Sequence, residues 1–255
     1  MPTKAHPVVF IHGLWIHASS WQPWMELFDE HGYDTVADTR RNADALNNVG
    51  IAQIVEHYAE LIGNLATTPV AVGHSFGGLV AQELLAAKHI AAAVAIDPAP
   101  IKGVKALPFT QLKSAFPVLN NPANKHRTVS LTPKQFQYSF GNTLSEEESD
   151  DLHERWTIPG PGRPLFEDAG ANFSRHSPAD VDTDTADRGP LLLTSGTEDH
   201  TVPLKVTREV FDVYANGPSD TEFHEFDGRG HSLTIDHGWQ EVAAVALHWL
   251  AAKGF

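Results

Sequence analysis

The chain contains no cysteine among its 255 residues. It therefore has no disulfide framework, no thiolate nucleophile and no cysteine-ligated zinc. Positive charge is also scarce, with 18 Lys and Arg against 32 Asp and Glu and a formal net charge of −14 at pH 7. A nucleic-acid binder needs a basic patch that releases counterions from phosphates, and no run of basic residues is present. We expect no nucleic-acid partner.

Long hydrophobic runs are missing too. No segment approaches the length of about 20 apolar residues that a membrane-spanning helix needs. The first residues, MPTKAHPVVFIHG, lack the charged start and apolar stretch of a secretory signal. We therefore expect a cytoplasmic protein with no membrane partner. The 42% apolar and 20% charged residues are typical of a soluble globular protein with a substantial core.

Short apolar runs alternate with longer helical patterns in the first hundred residues. The runs HPVVFIHG, PVAVGHS and AAAVAIDPAP are typical of buried strands, and IAQIVEHYAELIGNL and GLVAQELLAAKH between them have helical spacing. Strands separated by helices require crossover connections. The pattern predicts an α/β fold with a mostly parallel central sheet and helices on both faces.

The alternation stops after about residue 100 and resumes near residue 188 with PLLLTSG. In between, LTPKQFQYSF and LSEEESDDLHERW each open with a helix-capping pattern, and IPGPGRPLFEDAG has the proline and glycine content of a loop. We predict a core formed by residues 1–99 and 188–255, with a helical insertion at residues 100–187.

A serine flanked by glycines stands where an apolar run changes into a helical pattern. Gly73, Ser75 and Gly77 form G-x-S-x-G between PVAV and GLVAQELLAA. This is the context of a nucleophile elbow, in which a strained serine connects a strand to a helix and small neighbours let the two approach closely. The motif predicts a nucleophilic serine at position 75.

A serine hydroxyl attacks efficiently only when a neutral histidine takes its proton and a carboxylate orients that histidine. In the chain order serine, acid, histidine, the partners are expected at the carboxyl ends of later strands. Glu198 and Asp199 follow the run LLLTSG, and His231 follows EFHEF. The sequence thus supplies a candidate for each role.

Taken in order, these motifs resemble those of the α/β-hydrolase superfamily, and within it the capped serine esterase and lipase branch. The shared features are HG after the first strand, the elbow GHSFGG, the G-x-x-D-x-x-V-P pattern of GTEDHTVP and the late GHS. The resemblance covers residues 7–99 and 188–255. It implies an α/β-hydrolase fold whose helical cap is inserted after strand 6.

The resemblance also implies a role for each candidate. Ser75 is the nucleophile, His231 the general base and then acid, and Asp199 the orienting carboxylate. The two backbone N–H groups of the oxyanion hole belong to Leu14 and Phe76. Asp97, at the end of the preceding strand, is the alternative acid, because related folds also carry the acid there.

No metal and no cofactor is expected. The chain has no H-E-x-x-H motif, and its 15 histidines show no pair at metal-ligand spacing beyond what chance produces.

Many capped relatives carry D-x-R-G-x-G-x-S after their fourth strand, where this chain has ADTRRNADALNN from residue 37 to 48. The resemblance implies that this segment borders the site.

The expected reaction is hydrolysis of a carboxylic ester, lactone or thioester of a small hydrophobic substrate through an acyl-enzyme on Ser75. Aromatic residues predict an apolar pocket. The candidate pocket residues are Trp15, Phe136, Phe140 and Trp156. Because relatives with the same triad act as lyases, perhydrolases, C–C hydrolases or small-molecule receptors, these functions stay open as alternatives.

Overall fold

The computed structural model describes residues 4–38, 46–215 and 217–255, and a six-stranded sheet lies at its centre. The strands are β1 (Val8–Ile11), β2 (Thr35–Ala37), β3 (Val70–His74), β4 (Ala93–Ile96), β5 (Thr128–Val129), β6 (Gly160–Pro161), β7 (Leu191–Gly196) and β8 (Thr221–Phe226). The central sheet has the order β2-β1-β3-β4-β7-β8, and all its pairs are parallel. β5 and β6 form a separate antiparallel pair.

The helices cover both faces of the sheet. They are α1 (Gln22–Glu30), α2 (Ile51–Gly63), α3 (Phe76–Ala86), α4 (Phe109–Leu119), α5 (Pro133–Ser139), α6 (Glu146–Trp156), α7 (Arg163–Ala169), α8 (Leu204–Tyr214) and α9 (Trp239–Ala252). Alternate residues of a strand point to opposite faces. Val8 and Phe10 accordingly pack with α1 and α9, whereas Val9 and Ile11 pack with α2, α3 and α8. The predicted α/β fold is confirmed.

The strand order creates a crevice between β1 and β3. The chain leaves β1 through α1 on one face to reach β2, and it leaves β3 through α3 on the other face to reach β4. Connections that leave neighbouring parallel strands in opposite directions open a crevice at the carboxyl ends of the strands, where ligands bind in open α/β sheets. The segments HG and GHSFGG both lie at this point.

The chain leaves the sheet after β4 and re-enters it at β7, and the segment between them carries α4 to α7. It follows the fourth described strand in chain order. The two expected capping patterns are confirmed. Thr132 Oγ1 accepts the Gln135 N–H at 3.3 Å, and Ser145 Oγ accepts the Glu148 N–H at 3.2 Å.

Within the described ranges 4–38, 46–215 and 217–255, no helix combines the length and the apolar content needed to cross a membrane.

The glycines of the elbow allow β1, β3 and α3 to approach closely. A Cβ on Gly77 would lie 2.1 Å from the Ile11 carbonyl oxygen, and one on Gly73 would lie 2.1 Å from the Gly77 carbonyl oxygen. Both contacts are with backbone, which cannot rotate away as a side chain can. Any residue larger than glycine would therefore push the helix off the sheet.

We expect Gly77→Ala to lower the free energy of unfolding by about 3 kcal/mol, because the new methyl group overlaps the Ile11 carbonyl. Gly63→Ala is the matched control, since no atom lies within 4 Å of a Cβ at the end of α2. It should change stability by less than about 1 kcal/mol. Urea unfolding followed by circular dichroism measures both. Equal effects of the two substitutions would contradict the close approach.

Candidate active site

Ser75 occupies a strained turn between β3 and α3. Its backbone has φ of 57° and ψ of −123°, a region that non-glycine residues rarely adopt. The turn is held because the Ser75 N–H donates to the Ile96 carbonyl at 2.9 Å, and the Ser75 carbonyl accepts the Ala99 N–H at 3.0 Å. The strained turn thus places the serine side chain at the carboxyl end of the strands.

The structure brings Ser75, His231 and Asp199 into contact. His231 Nε2 lies 3.0 Å from Ser75 Oγ, and His231 Nδ1 lies 2.6 Å from Asp199 Oδ2. All three residues are buried. Asp199 follows β7 and His231 follows β8, and the carboxyl ends of parallel strands lie at the same edge of the sheet. With its proton on Nδ1, the imidazole donates to Asp199 and its Nε2 can accept the serine proton.

Asp199 is fixed by the turn that contains it. Its Oδ1 accepts the N–H groups of Thr201 at 2.6 Å and Val202 at 2.9 Å, which leaves Oδ2 for His231. Two backbone donors fix the orientation of this carboxylate toward His231. The neighbouring Glu198 is exposed.

Asp97, the alternative acid, lies behind this group and is fully buried. Its Oδ1 accepts the Gly196 N–H at 2.8 Å, and its Oδ2 has no hydrogen-bond partner within the part of the chain that the structure describes. Burial, and next the negative charge of Asp199, raise the pKa of Asp97 well above its usual range. The protonated form of Asp97 is therefore favoured in the folded protein.

The two proposed oxyanion donors flank Ser75. Phe76 is the first residue of α3, so its N–H has no partner within the helix. The HG segment touches the serine, because a Cβ on Gly13 would lie 2.8 Å from Ser75 Cβ, and Leu14 follows directly. Over the described ranges, neither the Leu14 N–H nor the Phe76 N–H donates to a protein acceptor. Both are available to a ligand oxygen.

His12 and His74 are the other histidines near the site. His12 Nδ1 contacts the Gly13 carbonyl oxygen at 2.8 Å, so its ring helps to shape the HG loop. His74 Nε2 donates to the His231 carbonyl at 2.9 Å, and burial, with the nearby His231, lowers the pKa of His74 well below its usual value. A neutral His74 packs against the His231 ring, with ring centres 4.7 Å apart.

An apolar cavity adjoins Ser75. Trp15 lies in its wall, and the insertion supplies the opposite wall through α4 and α7. A second cavity shares Trp15 and Phe76 with the first. Asp38 and Leu46 line that second cavity. The segment between them, residues 39–45, was expected to border the site and lies outside the described residues.

Three of the four expected pocket residues do not line the cavity at Ser75. Phe136 and Phe140 are buried and stacked on each other with ring centres 4.9 Å apart, and Phe140 packs edge-on against His231 at 4.8 Å. Trp156 is half-buried, and the guanidinium of Arg155 lies 4.4 Å from its ring centre. Phe140 instead packs against the ring of His231, and Phe136 stacks on Phe140.

Sequence reasoning missed the residues that do form the opposite wall. They belong to α4 and α7 and include Leu112, Leu119 and Leu165 together with two polar side chains, Gln111 and Asp168. The only available signal was helical spacing in LPFTQLKSAFPVL and RPLFEDA, and such spacing does not indicate which face meets the cavity.

A metal would have one candidate position in the described part of the chain. Ligand atoms of His74, Asp97 and His231 lie within 4.8 Å of one another. However, both ring nitrogens of His231 already have partners, and Nε2 of His74 donates to a carbonyl. Binding a metal would break these contacts. The arrangement fits proton transfer from Ser75 to His231 better than metal ligation.

Comparisons with known proteins agree with this geometry. A model of the alpha/beta hydrolase family matches residues 8–245. The non-heme chloroperoxidase of Streptomyces lividans is 28% identical over 224 residues, which cover 79% of this chain and 77% of that protein.

Two solved structures are similar in fold. The monoacylglycerol lipase of Paleococcus ferrophilus has a TM-score of 0.69 at 20% identity, with 100% of this chain and 97% of that chain covered. An extracellular alpha/beta-hydrolase from a Paenibacillus species has a TM-score of 0.73 at 22% identity, with 95% and 98% covered. At such identities the likeness shows the fold alone.

We expect Asp97→Asn to stabilise the protein increasingly as the pH rises from about 4 to 8. Below the unfolded-state pKa of about 4, the Asp97 carboxyl holds its proton in both the folded and the unfolded protein. Above that pKa the carboxyl ionises mainly in the unfolded protein, so Asp97 lowers the free energy of unfolding as the pH rises. Asparagine removes that cost and keeps the acceptor for the Gly196 N–H. Thermal unfolding at pH 4.5 and pH 8 measures the difference, with the exposed Asp212→Asn as control for the loss of one charge. A stabilisation that shrinks with pH would contradict the raised pKa of Asp97.

Proposed function

Because the chain belongs to the alpha/beta hydrolase family, with residues 8–245 matched, we propose that it is a serine hydrolase acting on a carboxylic ester, lactone or thioester of a small hydrophobic compound. The contact of His231 with both Ser75 and Asp199 supports this proposal most directly. Ester-cleaving neighbours in fold, such as polyneuridine aldehyde esterase, are consistent with it.

The proposed reaction has two steps. Ser75 Oγ attacks the substrate carbonyl while His231 Nε2 takes the serine proton, and Asp199 stabilises the imidazolium. The negative charge on the carbonyl oxygen is held by the N–H groups of Leu14 and Phe76. His231 then protonates the leaving alcohol, and the acyl group stays on Ser75.

In the second step water takes the place of the alcohol. His231 removes a proton from the water, the hydroxyl attacks the acyl carbonyl, and the proton returns to Ser75 as the acid leaves. The apolar cavity beside Ser75 fits the hydrophobic part of the substrate.

A perhydrolase is the second candidate, favoured by the similarity to the non-heme chloroperoxidase. Hydrogen peroxide would then replace water in the second step and release a peracid. Peracid formation from acetate and hydrogen peroxide, compared with ester hydrolysis by the same preparation, distinguishes the two. Lyase, C–C hydrolase and receptor functions on the same fold share the triad geometry but predict no turnover of simple esters.

We expect Ser75→Ala to lower kcat/KM for p-nitrophenyl esters at least about 10⁴-fold, since no other group forms the acyl-enzyme. A phosphonate probe located by mass spectrometry should label Ser75 in the wild type and leave the variant unlabelled. Ser174→Ala, at an exposed serine, is the control. If the wild type labels at Ser75 yet hydrolyses no ester of any chain length, the lyase or receptor function replaces this proposal.

We expect Asp199→Asn to lower kcat about 10⁴-fold, because it removes the carboxylate that contacts His231 Nδ1. Asp97→Asn, the matched change at the other candidate acid, should leave kcat within about tenfold, since Asp97 contacts the Gly196 N–H instead. Steady-state kinetics on one ester compares the two. The reverse order of effects would identify Asp97 as the acid.

A further inference from the structure

The cavity beside Ser75 has one charged residue among the described residues that line it, Asp168. It lies on α7 in the series Leu165, Asp168 and Ala169, whose spacing of three and four places them on one face of the helix. That face meets the cavity. A carboxyl group in a mostly apolar wall needs an explanation, because a polar group that leaves water without a partner costs stability.

The Asp168 carboxyl has no partner within residues 4–38, 46–215 and 217–255. No described donor forms a hydrogen bond or an ion pair with it, and the nearby Arg163 binds Glu167 instead, with Nε and Oε1 2.7 Å apart. Burial alone raises the pKa of Asp168 to about 7. Asp168 is half-buried, so its charged form loses part of its hydration and gains no described donor in return.

A second acceptor in the same wall is also unsatisfied. Gln111 of α4 lines the cavity, and its Oε1 is buried with no hydrogen-bond donor in the described part of the chain. Two other polar side chains of the wall are already paired, since Thr201 donates to the Ser139 carbonyl at 2.7 Å and Ser114 to the His200 carbonyl at 3.3 Å. The Asp168 carboxyl and Gln111 Oε1 are therefore two acceptors of this wall without a donor in the described part of the chain.

We propose that Asp168 is a substrate-binding residue and that the cavity takes a ligand whose apolar body carries a protonated amine. An ammonium group supplies a positive charge and up to three donors, which fit a cavity wall that contains an unpaired carboxylate and an unpaired amide oxygen. The same carboxylate disfavours ligands with a second acidic group. Its role in selecting a substrate rests on the proposed ester hydrolysis, whereas its role in binding does not.

The first experiment compares two esters that differ in a single group. Methyl 6-aminohexanoate carries an ammonium where methyl heptanoate carries a methyl group. We expect the ratio of kcat/KM for the amino ester to that for the heptanoate to fall about tenfold in Asp168→Asn, mainly through KM. Asp151→Asn, the same change at an exposed carboxylate of α6, is the matched control and should leave the ratio unchanged.

The second experiment needs no turnover. Calorimetry measures the binding of n-octylammonium and 1-octanol to the wild type and to Asp168→Asn. We expect the wild type to bind the ammonium about tenfold more tightly than the alcohol, and the variant to lose this preference. A wild type without the preference overturns the inference, however the variant folds.

The two experiments separate the inference from the proposed function. If both esters are hydrolysed and Asp168→Asn changes neither the ratio nor the binding preference, the inference fails and the hydrolase proposal stands. If the ammonium preference depends on Asp168 but no ester is hydrolysed, the binding assignment stands and the hydrolase proposal fails.

Discussion

The close backbone approach of β1, β3 and α3 is the constraint on which the site depends. Gly73 and Gly77 let the helix begin directly against the sheet, and this forces Ser75 into its strained conformation. The same approach brings the HG loop against the serine, so that two backbone N–H groups flank one side chain. A looser packing would relax the turn and separate the nucleophile from both donors.

Behind the serine, burial sets the protonation states. Two backbone N–H groups hold one oxygen of Asp199, whereas the second oxygen of Asp97, close by, has no described partner, and burial raises the pKa of Asp97 well above its usual range. Burial also disfavours the charged form of His74 and lowers its pKa. Of the two carboxyl groups, only Asp199 contacts His231. The local environment thus gives two neighbouring carboxyl groups different partners.

The insertion contributes in a different way. Its α5 supports His231 through Phe140, and its α4 and α7 form the wall that faces the serine. The helical segment therefore contacts both His231 and the cavity beside Ser75, while the segments that follow β3, β7 and β8 carry Ser75, Asp199 and His231. This division is consistent with one family carrying many activities on one core, because the wall can change without disturbing the strand ends.

The sequence by itself determined the strand and helix alternation, the elbow and the order of the serine, acid and histidine motifs, because these are local patterns of apolar spacing and turn residues. It left Asp97 and Asp199 open, since both follow strands that end at the same edge. It also placed Phe136 and Phe140 in the pocket and missed Asp168. Only the tertiary structure decided these points. The packing of distant segments determines which face of a helix meets a cavity and which carboxylate contacts the histidine. Spacing along the chain does not contain that information.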